Sequence, residues 1–413
     1  MVFSRLQPAD HENQGKNIYF NNGRVPSVDL LRGVVMIIMA LDHVRAYFHF
    51  DSMLFSPTNL EKTTAALFAT RFITHLCAPT FIFLAGTSAY FVTRRKTLME
   101  TSVFLMTRGL WLVFLQFTII QFGWNFDPEF HFRSSNIIST IGFCMILMAG
   151  IIHLPFNVVL ALGLLLVAGH NMFDNVSFEP GSASEVIWSF LHQRKLYSLN
   201  NNNSFLFLYP IIPWIGVMAL GFCLGRLYDE NHSVQKRREI LLLIGFSCLN
   251  IFVVLRGGIN GYGDPTPWTY YSNGVTTVLS FFNVEKYPPS FFFLCVTLGI
   301  SLILLGILEG NKLDPWKPVT IFGKVAMFYY VLHIYVIHVL ALVTVVLMGY
   351  PWQTVIFFGP HSQAHPLTKG HFGFNLFITY VIWIGIVCLL YPLCVRWNVF
   401  KSKNKSKWWV RYV

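Results

Sequence analysis

The sequence predicts an all-α integral membrane protein, a bundle of about ten transmembrane helices whose N- and C-termini both lie in the cytoplasm. Hydrophobic residues make up 54% of the 413 residues and charged residues 12%, with a mean hydropathy of +0.53. A soluble core cannot hide that much apolar surface, so lipid must solvate it. Backbone polar groups in lipid have to be satisfied internally, and the long apolar runs therefore indicate helices.

Apolar stretches that could serve as membrane spans recur along the whole chain. A helix needs about 20 mainly apolar residues to cross the hydrocarbon layer. The fourth and fifth stretches are short and only His153, Leu154 and Pro155 separate them, so they form either a tight helical hairpin or one broken re-entrant unit, and the total becomes ten or eleven. The predicted spans are 30–50, 67–92, 102–122, 137–152, 155–171, 209–228, 239–255, 289–308, 321–347 and 374–395.

Basic residues orient this bundle. Cytoplasmic flanks retain lysine and arginine, and placing the N-terminus inside puts most of the 30 basic residues on that side. The formal net charge of +11 is thus explained by topology, and no nucleic-acid partner is expected. We divide the chain into a polar cytoplasmic segment at 1–28, a transmembrane domain at 29–397 and a basic cytoplasmic tail at 398–413. Trp408 and Trp409 in that tail suit an interfacial anchor.

The first 28 residues lack the pattern of a cleavable signal peptide, so the first helix acts as its own insertion signal, and the expected location is the plasma (inner) membrane. The seven cysteines lie in apolar spans without paired spacing and are interpreted as free packing residues. His361, His365 and His371 fit no common zinc pattern, and no metal is expected. The sequence also lacks a Walker A motif and a GxSxG elbow, which disfavours nucleotide-driven transport and serine hydrolysis.

The first helix carries most of the charged residues that lie within spans. Asp29 and Arg32 are one turn apart at its cytoplasmic end, and Asp42, His43 and Arg45 lie in its outer third. Arg32 and His43 are separated by about 16 Å along the axis at 1.5 Å per residue. Asp42 and Arg45 can pair, which leaves His43 as the free proton acceptor. Charged groups within a span indicate function, although a snorkelling anchor at a helix end explains the cluster equally well.

Two other spans bring histidines to a similar depth. Arg71 and His75 lie in the first third of the second span, and His333 and His338 lie in the ninth. Spaced five residues apart, His333 and His338 point about 140° apart on a helix and are not expected to share a metal ion. His43, His75 and His338 are expected at the same level, and the alternative for each is a hydrogen-bonded packing role.

The outer loops are rich in proline and polar motifs, and such loops on a rigid scaffold are where binding residues concentrate. Turn formation alone explains each of them equally well. The motifs are WNFDPEFHF at 124–132, NNNN at 200–203, GYGDPTPW at 261–268, EKYPPS at 285–290 and HSQAHPLTKGH at 361–371.

Six segments between about residues 26 and 345 resemble bacterial membrane proteins grouped with the catalytic domain of heparan-alpha-glucosaminide N-acetyltransferase. The motif Asp29-x-x-Arg32-Gly33, with His43 ten residues after the glycine, is also similar to the opening motif of the acyltransferase-3 membrane family. Both resemblances imply acyl transfer at or across a membrane. The six segments are SVDLLRGVVMIIMALDHVR, HLCAPTFIFLAGTSAYF, YPIIPWIGVMALGFCLG, YGDPTPW, NVEKYPPSFFFLCVTLG and FGKVAMFYYVLHIYVIH.

The resemblance to the acyltransferase-3 family implies that His43 serves the acyl transfer. The lysosomal branch of the other family differs, because it has asparagine at the position that matches His43. Its catalytic histidine lies farther along, where this chain has Leu54 with His49 as the nearest imidazole. Either His43 or His49 therefore fills the role. No counterpart of the lumenal N-terminal domain of that branch is expected here, and the acceptor is expected to be a different sugar or glycolipid.

These observations favour an enzyme that takes an acetyl group from cytoplasmic acetyl-CoA, or a longer acyl group from the corresponding acyl-CoA, and delivers it to an amino or hydroxyl group of an acceptor at the outer face. Arg32, next to Asp29 and near the basic residues at 94–96, is expected to hold the nucleotide phosphates. His43 is expected to act as general base, or as an acetylated intermediate in a ping-pong route. Asp42 is expected to orient an imidazole, and the remaining candidate site residues are Arg45 and His75 as oxyanion stabilisers, together with His49 and His338.

The expected partners are the lipid bilayer and a glycan or glycolipid acceptor at the outer face, and a homodimer is left open. Two alternatives from other classes remain. One is a secondary transporter or flippase in which intramembrane histidines relay protons, although the sequence shows no inverted repeat. The other is a structural membrane subunit in which the polar groups only hold helices together.

Overall fold

The computed structural model describes residues 25–199, 203–258, 262–310, 317–355, 372–404, 406–407 and 410. The chain is mostly helical, at 72%, with little sheet. In chain order the helices are α1 (Pro26–Phe48), α2 (Ala65–His75), α3 (Cys77–Thr93), α4 (Leu98–Leu115), α5 (Gln121–Asn125), α6 (Ile137–Ile151), α7 (Phe156–Gly169), α8 (Ala183–Leu191), α9 (Ile211–Gly225), α10 (Val234–Gly258), α11 (Gly274–Phe282), α12 (Phe291–Leu308), α13 (Lys317–Lys324), α14 (Ala326–Leu347) and α15 (Leu376–Lys403).

Some sequence predictions concern residues outside these described ranges. They include most of the cytoplasmic N-terminal segment, the greater part of the NNNN motif, the three histidines of the 361–371 motif and the two tryptophans of the C-terminal tail. The seven cysteines lie within the described ranges as free thiols, and Cys388 is exposed.

Within the described residues, eight helical segments are long and apolar enough to cross a membrane. α6 is apolar but shorter, and α1 carries four charged side chains along its length. The prediction of a helical membrane protein is therefore confirmed, while the total of ten spans and the cytoplasmic termini stay predictions. The eight segments are Ala65–Thr93, Leu98–Asn125, Phe156–Phe173, Ile211–Tyr228, Val234–Gly258, Phe291–Leu308, Ala326–Leu347 and Leu376–Lys403.

Two predicted spans are interrupted in the structure. The second is divided into α2 and α3 at Leu76, and Pro79 follows in the first turn of α3, where a missing N–H leaves no hydrogen bond unmade. The ninth is divided into α13 and α14 at Val325. The fourth and fifth predicted spans are two helices, α6 and α7, joined by the turn at 152–155.

Polar caps begin several of these helices. Thr64 accepts a hydrogen bond from the Leu67 N–H at the start of α2, and Thr97 forms a capping box with Glu100 at the start of α4. Ser290 and Asn375 cap α12 and α15 in the same way. Each cap satisfies a backbone N–H that the helix leaves unpaired, so the helix starts are encoded locally.

A small sheet was not predicted from the sequence. Strands β1 (Phe132–Ser135), β2 (Lys195–Ser198) and β3 (Ser204–Phe207) pair in the order β1-β3-β2, with β1 parallel and β2 antiparallel to β3. Gln121 donates to the Phe132 carbonyl at 2.9 Å and accepts from the Ser134 N–H at 3.1 Å. This side-chain amide satisfies the outer edge of β1, which explains why so short a strand persists.

The two ends of the bundle differ. The short turns at 94–97, 152–155 and 229–233 lie at one end, called here the short-turn end. The sheet, α8, α11 and the long loops lie at the other, called the loop-rich end. Helix α1 begins at the short-turn end, where Ser27 donates to Glu309, and finishes at the loop-rich end, where Phe48 is bonded to Phe374.

Helix α1 lies at the centre of the bundle, in contact with α2, α3, α12, α13, α14 and α15. Close packing between helices depends on glycines that face one another. Such small residues let helix backbones approach in a membrane, where no hydrophobic force drives helices together. The facing glycines are Gly33 with Gly323 (α1 and α13), Gly109 with Gly142 (α4 and α6), Gly163 with Gly216 (α7 and α9), and Gly245 with Gly299 (α10 and α12), while Gly86 of α3 faces Met218 and Gly221 of α9 faces Phe83.

Candidate active site

A histidine pair joins the outer third of α1 to α14. Nδ1 of His43 lies 2.7 Å from Nε2 of His333, and the two rings are nearly parallel with centroids 5.0 Å apart. Nδ1 of His333 lies 2.8 Å from the carbonyl oxygen of Tyr329, one turn back along α14. His333 is fully buried, whereas His43 is partly exposed. His43 is thus the accessible member of a supported pair.

The Tyr329 carbonyl determines where the protons lie when both rings are neutral. A carbonyl can only accept a hydrogen bond, so Nδ1 of His333 carries a proton and its Nε2 holds a lone pair. Nδ1 of His43 must then donate to that lone pair. Nε2 of His43 is left as the basic nitrogen, and no residue in the described part of the chain bonds to it. The ring is therefore held in the tautomer that a general base requires.

Aromatic side chains surround this pair. The ring of Trp124 meets the His43 ring edge-on at a centroid distance of 4.6 Å, and Tyr330 does so at 6.2 Å. The hydroxyl of Tyr47 donates to the Trp124 carbonyl at 2.5 Å, which fixes the end of α5 against α1. In this apolar environment, hydrogen bonds and charges act more strongly than in water.

An ion cluster of Asp42, Arg45 and Arg71, largely buried and called here the Asp42 cluster, lies beside His43. Arg45 donates to Oδ1 of Asp42 at 3.1 Å, as predicted from their spacing, and Arg71 of α2 donates to Oδ2 at 2.5 Å. Asp42 was expected to orient an imidazole, but both its oxygens are engaged by the arginines and His333 takes that place beside His43. Two cations on one carboxylate leave the cluster with a net positive charge.

Lys286 supplies a further positive charge that the sequence analysis missed. It is 7% exposed, and within the described ranges no carboxylate pairs with its ammonium group. Its nitrogen lies 5.2 Å from the centre of the Tyr287 ring, and its charge acts on Asp42 and His43. A buried cation without a counter-ion suits a group that must meet a negative charge during a reaction.

Two of the loop motifs, GYGDPTPW at 261–268 and EKYPPS at 285–290, position Lys286. Asp264 accepts hydrogen bonds from the Glu285 N–H at 2.8 Å and from the Ser290 hydroxyl at 2.6 Å. Arg256, 1% exposed at the end of α10, donates to the Asn283 carbonyl at 2.9 Å. Burial raises the pKa of Asp264 even though hydrogen bonds and Arg256 oppose the shift. The polar residues of these motifs therefore bind the two loops to each other.

The other predicted histidines lie apart from this pair. His338 donates to the Gly123 carbonyl at 2.9 Å and stacks on Phe126 at 3.8 Å, near Tyr47 rather than His43. His75 packs against Phe293 at 5.4 Å and lies within the electrostatic range of the Asp42 cluster. The structure therefore brings neither imidazole into contact with His43.

His49 lies beyond the end of α1, in a turn. Its Nδ1 accepts a hydrogen bond from the Asp51 N–H at 3.3 Å, and its ring stacks on Phe50. Burial and the charge of Arg45 lower the pKa of His49 to about 4. A neutral imidazole that caps a turn is positioned to stabilise the loop.

A π-helical turn at Gln116–Ile120 lies between α4 and α5. Helix carbonyls at and after this turn accept bonds from other helices: Tyr335 donates to the Ile119 carbonyl at 2.7 Å, and His338 donates to the Gly123 carbonyl. Such turns are frequent at functional sites because they re-aim backbone groups. Here the turn attaches α5, and with it Trp124, to α14.

The short-turn end carries the predicted donor-binding residues. Arg32 donates to Asp29 at 2.9 Å and to the Ser88 hydroxyl of α3 at 3.0 Å. Its side chain remains 21% exposed. The basic residues at 94–96 follow α3 at the same end and are exposed, and Arg94 reaches Asp229 at 3.4 Å. Arg32 thus belongs to an ion pair rather than standing alone.

A second buried ion pair closes the same end. Glu309 accepts hydrogen bonds from Ser27, from the Tyr228 hydroxyl at 3.0 Å and from Arg237 at 2.8 Å. All four side chains are buried, so the starts of α1 and α10 and the ends of α9 and α12 are held together. Arg237 therefore helps to hold these four helices together.

The part of the chain that matches a known protein family includes the first helix and its polar residues. The model of the catalytic region of heparan-alpha-glucosaminide N-acetyltransferase matches residues 24–255, more than half of the chain. This stretch includes His43 and the Asp42 cluster, while Lys286 and His333 lie outside it. No individual curated protein matches the chain significantly. The chain therefore belongs to the heparan-alpha-glucosaminide N-acetyltransferase catalytic family.

Proposed function

We propose that this protein is a membrane acetyltransferase that moves an acetyl group from acetyl-CoA at its short-turn end to an amino or hydroxyl group of a sugar or glycolipid at its loop-rich end. In this proposal the chain crosses the plasma membrane ten times and keeps both termini in the cytoplasm. The observation that carries the proposal is the His43–His333 pair, a basic nitrogen held by a buried partner in a chain of this family.

His43 acts as general base in the proposed reaction. Its Nε2 takes the proton of the acceptor amine or hydroxyl while the acceptor attacks the thioester carbon. The new C–N or C–O bond forms, the C–S bond breaks, and the thiolate of CoA leaves. The imidazolium that results keeps its Nδ1–H bond to His333, which becomes charge-assisted. A well-placed base typically contributes ~10²- to 10⁴-fold in rate.

Lys286 and the Asp42 cluster supply positive charge near the carbonyl oxygen of the thioester, which becomes negative during the attack. Arg45 and Arg71 share one carboxylate, so their charge is only partly neutralised. Lys286 has no carboxylate partner in the described part of the chain and is the better oxyanion stabiliser of the three. Fixed cations in an apolar site need no reorganisation as the charge develops.

Acetyl-CoA supplies an activated acetyl group as a thioester. Arg32 and the basic residues at 94–96 are the groups at the short-turn end that suit its phosphates, because guanidinium groups bind phosphate in a charge-assisted way. Arg32 is already paired with Asp29, so phosphate would compete with that carboxylate. About 16 Å of helix separates Arg32 from His43, a distance that an extended thioester arm would have to cover between helices.

The acceptor would enter from the loop-rich end. A surface cavity of about 340 Å³ there has mainly polar walls, which suits a hydroxyl-rich ligand. Asn283 lines it and begins the loop that carries Lys286. The other lining residues are Thr58, Asn59, Leu60, Glu61, Thr266, Pro267, Thr269, Tyr271 and Ser280.

Membranes containing the protein, incubated with acetyl-CoA labelled in the acetyl group, test this function. We expect label in a cell-envelope glycan or glycolipid, which membranes without the protein do not acquire. The Arg32→Glu variant should lose saturable acetyl-CoA binding in detergent while remaining folded. Proton-coupled movement of a solute without any labelled product would instead support a transporter and overturn the proposal.

A further inference from the structure

A second histidine cluster lies at the loop-rich end, away from His43. His170 begins the turn that follows α7, Asp174 comes one turn later, and His192 follows α8. One ligand atom from each of the three side chains lies within 4.8 Å of the other two. Nε2 of His192 is 3.1 Å from Oδ1 of Asp174. Within the described residues, this is the one such group of possible metal-binding side chains.

The two imidazoles in this cluster are buried, and three of their four ring nitrogens have no hydrogen-bond partner in the described part of the chain. His170 is 1% exposed, and neither of its ring nitrogens has a hydrogen-bond partner in the described part of the chain. His192 is fully buried, and its Nδ1 also lacks a partner there. Buried polar atoms are almost always paired, and an unpaired one calls for a water molecule, a ligand or an ion that satisfies it.

The surroundings of the cluster resemble the support that metal ligands require. Asn171 donates to Oδ2 of Asp174 at 2.8 Å, which leaves Oδ1 directed at His192. Asn171 also accepts a hydrogen bond from the Phe291 N–H at 2.9 Å, and this bond connects the cluster to the start of α12. Trp188 packs 5.1 Å from the His192 ring. Hydrogen bonds to a ligating carboxylate and an apolar wall are typical of metal sites.

Charge also favours a cation here. Among the residues that the structure describes, no lysine or arginine pairs with Asp174, whose Oδ1 contacts the imidazole of His192. Two imidazoles and one carboxylate are a ligand set that zinc accepts readily, with water in the fourth position. Tetrahedral ligands at about 2.0–2.1 Å from zinc lie about 3.3 Å apart, so the widest of the three separations, at most 4.8 Å, must shorten by at most about 1.5 Å.

We propose that His170, Asp174 and His192 bind one zinc ion. The ion joins the end of α7 to the turn after α8. Two residues beyond His192, the guanidinium carbon of Arg194 lies 5.7 Å from the centre of the Tyr287 ring, next to Lys286. The zinc ion thereby holds the loop-rich end in place beside the active-site loop, a structural role that does not depend on the acetyltransferase proposal.

Metal analysis of the purified full-length protein tests the site. The protein should be purified through a tag without histidines, from cells supplied with zinc, and dialysed. We expect about one zinc per chain in the wild type and at least a tenfold lower content in Asp174→Asn and His192→Ala. His153→Ala is the matched control, because His153 lies at the opposite end of α7 and should leave the zinc content unchanged.

Cobalt gives a readout that does not depend on the variants folding. Wild-type protein stripped of zinc and given Co²⁺ should show the visible absorption of tetrahedral cobalt with nitrogen and oxygen ligands. Less than about 0.1 zinc per chain in folded wild type, without a cobalt spectrum, would overturn the proposal. Zinc content that Asp174→Asn and His192→Ala leave unchanged would overturn it as well, since the metal would then be bound elsewhere.

Discussion

At the residue scale, the direction of one hydrogen bond determines what His43 can do. The Tyr329 carbonyl requires the proton on Nδ1 of His333, and this in turn requires the proton on Nδ1 of His43. In many enzymes a carboxylate orients the catalytic histidine in this way. Here a neutral imidazole does it, and the nearby carboxylate of Asp42 is used to hold Arg45 and Arg71.

His333 is a positioning residue, and its replacement should reveal that role. His333→Leu removes the acceptor for the His43 Nδ1–H, so we expect acetyl transfer to fall by about tenfold or more, but by less than replacement of His43 itself. The pH at which activity rises should also shift. His333→Gln offers a side-chain oxygen to the same N–H and should recover part of the rate. An unchanged rate and pH profile in His333→Leu would contradict this role.

Tyr287 should ionise at unusually low pH. Burial alone raises its pKa, but the cations of Lys286 and Arg71 outweigh burial and bring the pKa of Tyr287 to about 8. The ordinary pKa of tyrosine is about 10. Because ionisation is easier in the folded state, this group's contribution to the free energy of unfolding is full above pH 10 and is lost as pH falls through about 8.

Absorbance titration of tyrosinate measures this pKa directly. The wild-type protein should show one tyrosine that titrates near pH 8, and Tyr287→Phe should lack it. The same titration curve in both proteins would show that the cations do not act on Tyr287 in this way.

The polar outer third of α1 could be recognised from the sequence, because charged groups within a span are rare and easily seen. The partner of His43 could not be recognised from the sequence. His333 and His338 lie on the same helix and differ only in the direction they face, and the rotation of α14 is set by packing against α1 and α5. Lys286 was missed because a lysine in a loop gives no sign of burial until the loop fold is known.

At the element scale, α1 owes its central position to glycine contacts. A Cβ on Gly33 would lie 2.0 Å from the Val319 carbonyl oxygen, and one on Gly323 would lie 1.9 Å from the Asp29 carbonyl oxygen. Backbone atoms cannot move aside as a flexible side chain can. The glycine of the Asp29-x-x-Arg32-Gly33 motif is therefore required by the approach of α13.

Alanine at position 33 should destabilise the protein, although alanine is normally the better helix former by about 1 kcal/mol. We expect Gly33→Ala to lower the free energy of unfolding by about 1–3 kcal/mol through overpacking. Gly385→Ala in α15 is the matched control, because nothing lies within 4 Å of its added Cβ and it should be neutral or stabilising. Thermal unfolding in detergent distinguishes them, and equal melting temperatures would contradict the packing argument.

The helices themselves were largely predictable, since apolar runs and capping residues such as Thr97 are local signals. Interruptions were not. The break at Leu76, which Pro79 follows, and the π-helical turn at Gln116–Ile120 leave the hydropathy unchanged, so a search for apolar runs passes over both. Strand β1 was missed because its stability comes from amides such as that of Gln121, which no strand pattern reports.

At the scale of the whole molecule, the two ends of the bundle carry different polar groups. Ion pairs such as Arg237 with Glu309 hold helices together at the short-turn end, where Arg32 remains partly exposed, whereas the loop-rich end holds a basic nitrogen on His43 and an uncompensated positive charge. The proposed transfer from a donor at one end to an acceptor at the other requires such a difference. The distribution of basic residues predicts which end faces the cytoplasm.

Labelling of introduced cysteines tests that orientation. Lys96→Cys lies at the short-turn end and Glu179→Cys at the loop-rich end, and both positions are exposed. In intact cells a membrane-impermeant maleimide should modify Glu179→Cys, and it should reach Lys96→Cys only after permeabilisation. The wild type, with its seven cysteines, provides the background. The opposite pattern would reverse the assignment of donor and acceptor sides.

The most direct test of the account is acetyl transfer by His43→Gln in proteoliposomes, with His153→Gln as the matched control. His153 lies in the turn at 152–155, at the opposite end of the bundle from the histidine pair. We predict that His43→Gln lowers the transfer rate by ~10²- to 10⁴-fold while acetyl-CoA binding and folding persist, and that His153→Gln transfers at the wild-type rate. Transfer by folded His43→Gln at the wild-type rate would contradict the central claim.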